Sequence, residues 1–305
     1  ILFNPFKLDK ESLDNATQLQ IVFIKKKIKY IYTVSFNSER IVGETLWHYP
    51  NNKKAVLFER KNDDYKFTKD EKDQEFIAKR TLENTLYLSK ATQENYEYTT
   101  PVFEWFKEDL QILNAYQPVG AEQFTAELMN QDKKTKELIL KSLLEADVGI
   151  EDINVAIKEL DSNSEEIPNE IKKMLVNAKT KIKKTDIKTI HKGVLFDFYT
   201  EESEGTKRIF SLIGPWIDAL MSGKTLVVDE LDTKLHHLLI LFLIDLFHRS
   251  DQNKTNAQLI FTTHNTNLLD QDIFRRDQIW FTEKDTNTSN TKLYSLAEYS
   301  PRKDE

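Results

Sequence analysis

Runs of apolar and β-branched residues, broken by short polar stretches, mark residues 18–60. Leu19 to Phe23, Tyr30 to Phe36, Ile41 to Tyr49 and Ala55 to Arg60 are rich in Ile, Val, Tyr, Phe and Thr, residues that suit a pleated, half-buried surface. Short polar turns such as Asn37-Ser38-Glu39 and Asn51-Asn52-Lys53-Lys54 separate them, so the spacing predicts a β-meander over residues 18–60. From about residue 71 to 160 the spacing lengthens. Phe76, Leu82 and Leu86, then Phe103, Phe106, Leu110 and Leu113, then Leu138, Leu140, Leu143 and Leu144 lie near helical intervals. Pro101 and Pro118 mark starts or breaks, and the charged outer faces suit a projecting helical arm. Residues 161–186 open on the polar run Asp161 to Glu166 and continue into a lysine-rich stretch between 172 and 188. That composition reads as a solvated linker. Phosphate contact by the lysines stays open as an alternative, although no aromatic residues are interleaved for base stacking.

After Ile187 strand and helix patterns alternate. Expected strands are Ile187 to His191, Val194 to Tyr199, Thr225 to Val228, Gln258 to Thr263 and Gln278 to Phe281, with helices at about 205–221 and 234–249. Such alternation implies a largely parallel sheet. The resulting division is a β-rich N-terminal lobe over 1–100, a helical insertion with its Lys-rich linker over 101–186, and a C-terminal lobe over 187–305.

Composition narrows the class. Hydrophobic residues make up 39% of the 305 and charged residues 30%, which suits a soluble chain that still buries a core. The longest apolar run, Leu238 to Phe247, is interrupted by Asp245 and reads as a buried helix, not a membrane span. Cysteine is absent, which removes disulfides and thiolate metal sites and agrees with a cytoplasmic protein. A net charge of -7 argues against general affinity for nucleic acid. The start at Ile1-Leu2-Phe3 and the end at Lys303-Asp304-Glu305 lead to the expectation that this is a segment of a longer protein.

Three short stretches carry chemistry. Thr225 to Val228 reads as a buried strand that runs into two adjacent carboxylates, Asp229 and Glu230. In open α/β sheets ligands bind beyond the carboxyl ends of the strands, and two acids there are costly to desolvate without a cation or reacting group beside them. The pair suits an ATPase in which Asp229 holds Mg²⁺ through its water shell and Glu230 orients and deprotonates the attacking water. The second stretch, Ser203-Glu204-Gly205-Thr206-Lys207-Arg208, precedes a helix and offers a hydroxyl and free N–H groups suited to phosphate; an ordinary N-cap explains Ser203 as well. The third, Phe261-Thr262-Thr263-His264-Asn265, ends another apolar strand. One helix and one strand separate it from Asp229, so the two strands can be neighbours, with His264 in reach of a γ-phosphate or of the attacking water.

Taken together, Glu202 to Arg208, Thr225 to His236 and Thr262 to Asn265 resemble the ATP-binding-cassette-type ATPase heads of the SMC and OLD families. They are most similar to the RloA-type, abortive-infection AAA family ATP-binding proteins. The resemblance implies an α/β P-loop NTPase head with an N-terminal antiparallel β-subdomain, a helical insertion and a C-terminal, mostly parallel sheet. It also implies residue roles. Ser203 and Gly205 match the signature motif that meets the γ-phosphate of ATP held by the other protomer. Asp229 matches the Walker B aspartate, Glu230 the catalytic base, Asp232 the D-loop aspartate at the dimer interface and His264 the switch histidine. ATP and Mg²⁺ follow as ligands, and a head-to-head homodimer around sandwiched ATP as the working state.

One part of the pattern is missing, since no G-x-x-x-x-G-K-[ST] occurs. Gly223-Lys224-Thr225 follows a helix and precedes a strand, the reverse of a phosphate loop, and Gly223 is expected as a helix C-cap. The resemblance places the phosphate loop upstream of residues 1–10. His236 and His237, adjacent on a helix, point about 100° apart and suit no common two-His metal site. The expected function is an ATPase of a bacterial anti-phage system that controls an effector nuclease or toxin partner. The rivals are a non-hydrolysing, nucleotide-gated scaffold for such a partner and a DNA-repair-type head acting directly on DNA.

Overall fold

The structure is a computed structural model that describes residues 3–114, 120–160 and 182–299. After a short helix α1 (Lys10–Asp14), five strands follow one another in an antiparallel sheet of order β1-β2-β3-β4-β5: Thr17–Lys25, Ile28–Phe36, Ile41–His48, Ala55–Lys61 and Asp64–Phe67. The first four match the meander expected from β-forming composition and polar turns. The fifth lies outside that expectation: it is four residues long, with Tyr65 and Phe67 alternating with Asp64 and Lys66. Phe23, Tyr30, Tyr32, Leu46 and Phe58 are buried beneath this sheet. Helices α2 (Glu71–Ala78), α3 (Tyr87–Gln93) and α4 (Thr100–Glu104) follow.

A buried ion pair fastens α3 to the sheet. Glu44 on β3 stands opposite Arg60 on β4. The Glu44 carboxylate accepts from the N–H groups of Tyr87 and Leu88 at 2.6 and 2.9 Å and from the Tyr32 hydroxyl at 2.8 Å. It thereby satisfies donors at the start of α3 that no helical carbonyl can reach. Arg60 lies 3.9 Å from Glu44 and donates to the carbonyls of Asn62, Thr85 and Glu83. Residues 1–108, with 270–305, form one compact unit, and residues 109–269 form the second.

The second unit begins with β6 (Leu110–Asn114), then α5 (Ala121–Gln131), α6 (Lys133–Glu145) and β7 (Asp152–Leu160). Leu110 and Leu113, expected on a helix, are strand residues. Their spacing of three is ambiguous over so short a run, and pairing with another strand decides the outcome. Next come β8 (Ile182–His191), β9 (Val194–Asp197), α7 (Phe198–Glu201), α8 (Glu204–Ser222), β10 (Thr225–Asp229), α9 (His237–His248) and β11 (Gln258–Phe261). Most of the expected linker, and Pro118, lie outside the described residues.

Two sheets form here instead of one. β7, β8 and β9 are antiparallel, which corrects the expectation that residues 187–199 join a parallel sheet. Only Lys192 and Gly193 separate β8 from β9, both at positive φ (49° and 75°). That is the backbone of a two-residue hairpin turn, and a parallel crossover needs far more chain. The parallel sheet has the order β11-β10-β6. Leu226 and Val228 on one of its faces are fully buried. On the other face Ile112, Val227 and Ile260 stand in register, with Ile112 69% and Ile260 56% exposed.

α8 is the core helix. Phe210, Leu212, Ile213 and Trp216 along it are fully buried, and the Trp216 indole N–H donates to the Leu243 carbonyl of α9 at 3.0 Å. Gly214 permits close approach to α5, since a Cβ there would lie 2.7 Å from Thr125 Cα. The Thr125 hydroxyl donates to the Phe210 carbonyl at 3.0 Å. In the first unit's later stretch, β12 (Trp280–Lys284) and β13 (Thr291–Ser295) make an antiparallel hairpin. The expected strand Gln278 to Phe281 therefore starts two residues later and does not extend the parallel sheet.

Candidate active site

The site is assembled at the carboxyl end of β10. Register pairs Val228 with Phe261, and the ladder continues one residue beyond. The Thr262 N–H donates to the Val228 carbonyl at 3.0 Å, and the Leu231 N–H donates to the Thr262 carbonyl at 3.0 Å. Thr262 is thus fixed opposite the two acids. Its hydroxyl accepts from the Glu230 N–H at 2.7 Å and donates to Asp229 Oδ1 at 2.6 Å. Glu230 has φ of 51°, a left-handed conformation uncommon for a side-chain-bearing residue. This turn takes the chain out of the strand, which ends at Asp229.

His264 Nε2 lies 3.9 Å from Glu230 Oε1, with the imidazole side chain 84% exposed. Asp232 points back toward β11, where its Oδ1 accepts from the Thr263 hydroxyl at 2.8 Å and from the His264 N–H at 3.3 Å. Asp229, Glu230, Asp232 and His264 are therefore brought together. The strand-tip pair Thr262 and Thr263 does the connecting. Both belong to the third motif, but their roles as hydroxyl bridges depend on strand register, which local spacing does not reveal.

The same loop reaches the serine-capped helix. Ser203 is exposed and N-caps α8, its Oγ accepting from the Thr206 N–H at 3.0 Å. A Cβ on Gly205 would come within 3.9 Å of the Lys234 carbonyl, and Lys234 Nζ lies 3.1 Å from Glu204 Oε2. Ser203 and Gly205 thus lie beside the loop that begins at Glu230. Hydrogen bonds from Lys234 and Lys207 hold the Glu204 carboxyl below its ordinary range. One turn on, Arg208 is buried, and its guanidinium has no hydrogen-bond partner among the described residues. With the helix dipole, these cations make the start of α8 a place suited to a phosphate group.

Asp229 is exposed at the strand tip. Among the described residues no three His, Cys, Asp or Glu side chains are grouped to cage a metal ion. A lone carboxylate of this kind fits Mg²⁺, which keeps several waters and is held by one or two carboxylates together with substrate phosphates. It does not fit a metal that needs a full protein ligand set. His236 caps α9 through its Nδ1, which accepts from the Leu238 N–H at 3.3 Å, and His237 Nδ1 lies 3.2 Å from the Asn265 amide nitrogen. Both histidines are engaged in local structure. Gly223 closes α8 at φ of 71°, its N–H bonded to the Ala219 carbonyl at 2.9 Å, and Lys224 pairs with Asp218 at 2.6 Å. That Gly-Lys-Thr triplet ends a helix and does not open one.

A protein-family model described as "AAA domain, putative AbiEii toxin, Type IV TA system" matches residues 2–270 of the chain. No curated protein matches it. No helix among the described residues is long and apolar enough to cross a membrane.

Proposed function

The chain belongs to this AAA-domain family, whose members share the P-loop NTPase fold, and from that premise we propose that it is an ATP-binding-cassette-type ATPase head. Two heads sandwich ATP, hydrolyse it, and control an effector nuclease or toxin of an anti-phage, abortive-infection system. The observation that carries this reading is the Thr262 hydroxyl bridge. It ties the Asp229 carboxylate to the Glu230 backbone N–H at a strand tip, with His264 at 3.9 Å from the Glu230 carboxylate.

In this mechanism Glu230 takes a proton from the water that attacks the terminal phosphorus. The bond to the bridging oxygen breaks, leaving ADP and inorganic phosphate. His264 meets the terminal phosphate and reports its presence to Glu230. Asp232 holds the loop against Thr263 and meets the second head. Ser203 and the first N–H groups of α8 meet the partner's terminal phosphate. Asp229 would hold Mg²⁺, which would supply neutralisation of charge on the phosphate oxygens. Positioning and charge stabilisation are all that phosphoryl transfer asks of the protein.

The face of the parallel sheet that carries Ile112, Val227 and Ile260 supports the same reading, since Ile112 and Ile260 are exposed. Helices cover both faces of parallel sheets, and this face ends at Asp229. We place the helix of a phosphate loop against it, with its strand paired at a sheet edge, a motif that these 305 residues do not contain. The test is Glu230→Gln in the full-length protein. ATP binding persists and steady-state turnover drops at least tenfold, and unchanged turnover removes Glu230 from the chemistry. A second reading, a nucleotide-gated scaffold that does not hydrolyse, draws on the absent phosphate loop. It predicts that partner co-purification follows ATP binding while Glu230→Gln changes nothing.

A further inference from the structure

Glu202 immediately precedes the capping serine, yet its side chain is only 7% exposed. It is held from β8. Thr189, fully buried, donates its hydroxyl to Glu202 Oε1, and His191 Nε2 lies 2.6 Å from the same oxygen. A carboxylate only accepts, so the imidazole carries its proton on Nε2. Thr189 and His191 are two apart on one strand and so share a face of the sheet. Phe196 of β9 packs edge-on against the imidazole, with centroids 5.1 Å apart. Two turns of chain are clamped together here, because Lys188 on the same strand also pairs with Asp197, the N-cap of α7, at 2.8 Å.

The energetic problem is plain. A carboxylate taken out of water costs several kcal/mol unless it is paired and hydrogen-bonded. An ordinary N-cap needs no such neighbour, because Ser203 bonds Thr206 without help. A buried carboxylate one residue upstream therefore does something a cap does not: it fixes where the serine stands. From Glu202 to Ser203 the backbone is extended (ψ of 152° and 153°), so these two residues lie outside the helix, and Ser203 joins it only as an acceptor, through its Oγ from the Thr206 N–H and through its carbonyl from the Lys207 N–H at 2.9 Å.

We propose that Glu202 is a positioning residue for Ser203, with Thr189 and His191 as its anchors, so that the antiparallel sheet β7-β8-β9 sets the place of the phosphate-facing serine. This deepens the ATPase reading and rests on it for its consequence, though not for its geometry.

The experiment compares Glu202→Ala with Glu202→Gln in the full-length protein, by amide hydrogen exchange and by ATP-driven self-association. Glu202→Gln keeps an acceptor oxygen for both anchors and behaves within about twofold of wild type. In Glu202→Ala, protection of the Thr206 and Lys207 amides falls by about fivefold, the scale of a lost cap, while the Ala219–Gly223 end of α8 is unchanged. Binding of an ATP analogue to a single head stays within about twofold, and ATP-driven pairing weakens at least tenfold. Unchanged exchange at Thr206 and Lys207 overturns the positioning role even if the protein is an ATPase. An equal loss of protection along all of α8, or an equal loss in Glu202→Gln, also overturns it, because the pair is then only structural. Loosened exchange confined to the first turn, in a protein that never pairs with ATP, leaves the positioning role standing and refutes the two-head reading instead.

Discussion

Thr262→Val removes one hydroxyl and keeps the shape of the side chain. That hydroxyl accepts from the Glu230 N–H at 2.7 Å and donates to Asp229 Oδ1 at 2.6 Å, so two hydrogen bonds are lost together. A neutral hydrogen bond contributes about 1 kcal/mol net and one to a charged group about 1.5–3 kcal/mol. Both groups here are solvent-exposed, so water replaces part of each bond. We therefore expect a loss of about 1–2 kcal/mol. For a domain of this size that lowers the melting temperature by roughly 2–8 °C. Turnover suffers more, because Glu230 at φ of 51° loses the contact that keeps its strained turn in place, and a misplacement of about 1 Å costs up to about 100-fold. Differential scanning fluorimetry and a phosphate-release assay on the full-length protein give both numbers. Thr262→Ser restores the hydroxyl and should recover both. A Thr262→Val protein with wild-type melting and wild-type turnover refutes the bridge, and so does a Thr262→Ser protein as impaired as Thr262→Val.

Three further outcomes concern the packing that supports each unit. Gly214→Ala gains helix propensity of about 1 kcal/mol but drives a methyl group to 2.7 Å from Thr125 Cα. Overpacking of that kind costs about 1–3 kcal/mol, so urea denaturation shows a net loss, and a stabilised variant contradicts the close crossing of α5 and α8. Burial pushes the Glu44 carboxyl up, against the opposing hydrogen bonds from Leu88, Tyr87 and Tyr32 and the charge of Arg60. A carboxyl raised on folding favours its protonated form in the native state. Its contribution is therefore fully present below the unfolded value and is lost as pH rises through the folded one. Glu44→Gln flattens that slope in stability measured between pH 4 and 8 (about the range in which carboxyls titrate). Glu44→Ala strands Arg60 and costs about 3–5 kcal/mol.

Much of the first unit was written in local pattern. β1 to β4 follow from runs of β-branched and aromatic residues separated by polar turns, because such side chains suit a pleated, half-buried surface. Ser203 as a cap and Gly223 as a helix end were equally legible, since both are decided by the backbone within one turn. The acids, the histidine and the serine of the candidate site could be named from three short motifs. Their mutual distances could not.

Those distances belong to tertiary structure. Leu110 and Leu113 have the spacing of a helix, but β10 offers β6 a row of hydrogen-bonding partners, and pairing outweighs a weak local preference. Residues 187–199 turn back on themselves at Lys192-Gly193, a two-residue signal that two consecutive apolar runs had masked. Thr262 acquires its role only because Val228 and Phe261 are in register, and Glu202 only because β8 passes behind it. Sequence alone determined which residue types stand at the strand ends and helix caps, because those choices rest on a few neighbouring dihedral angles. Only the folded chain decided which hydroxyl meets which carboxylate, because hydrogen bonds act over about 3 Å and residues some thirty positions apart come that close only after their strands have paired.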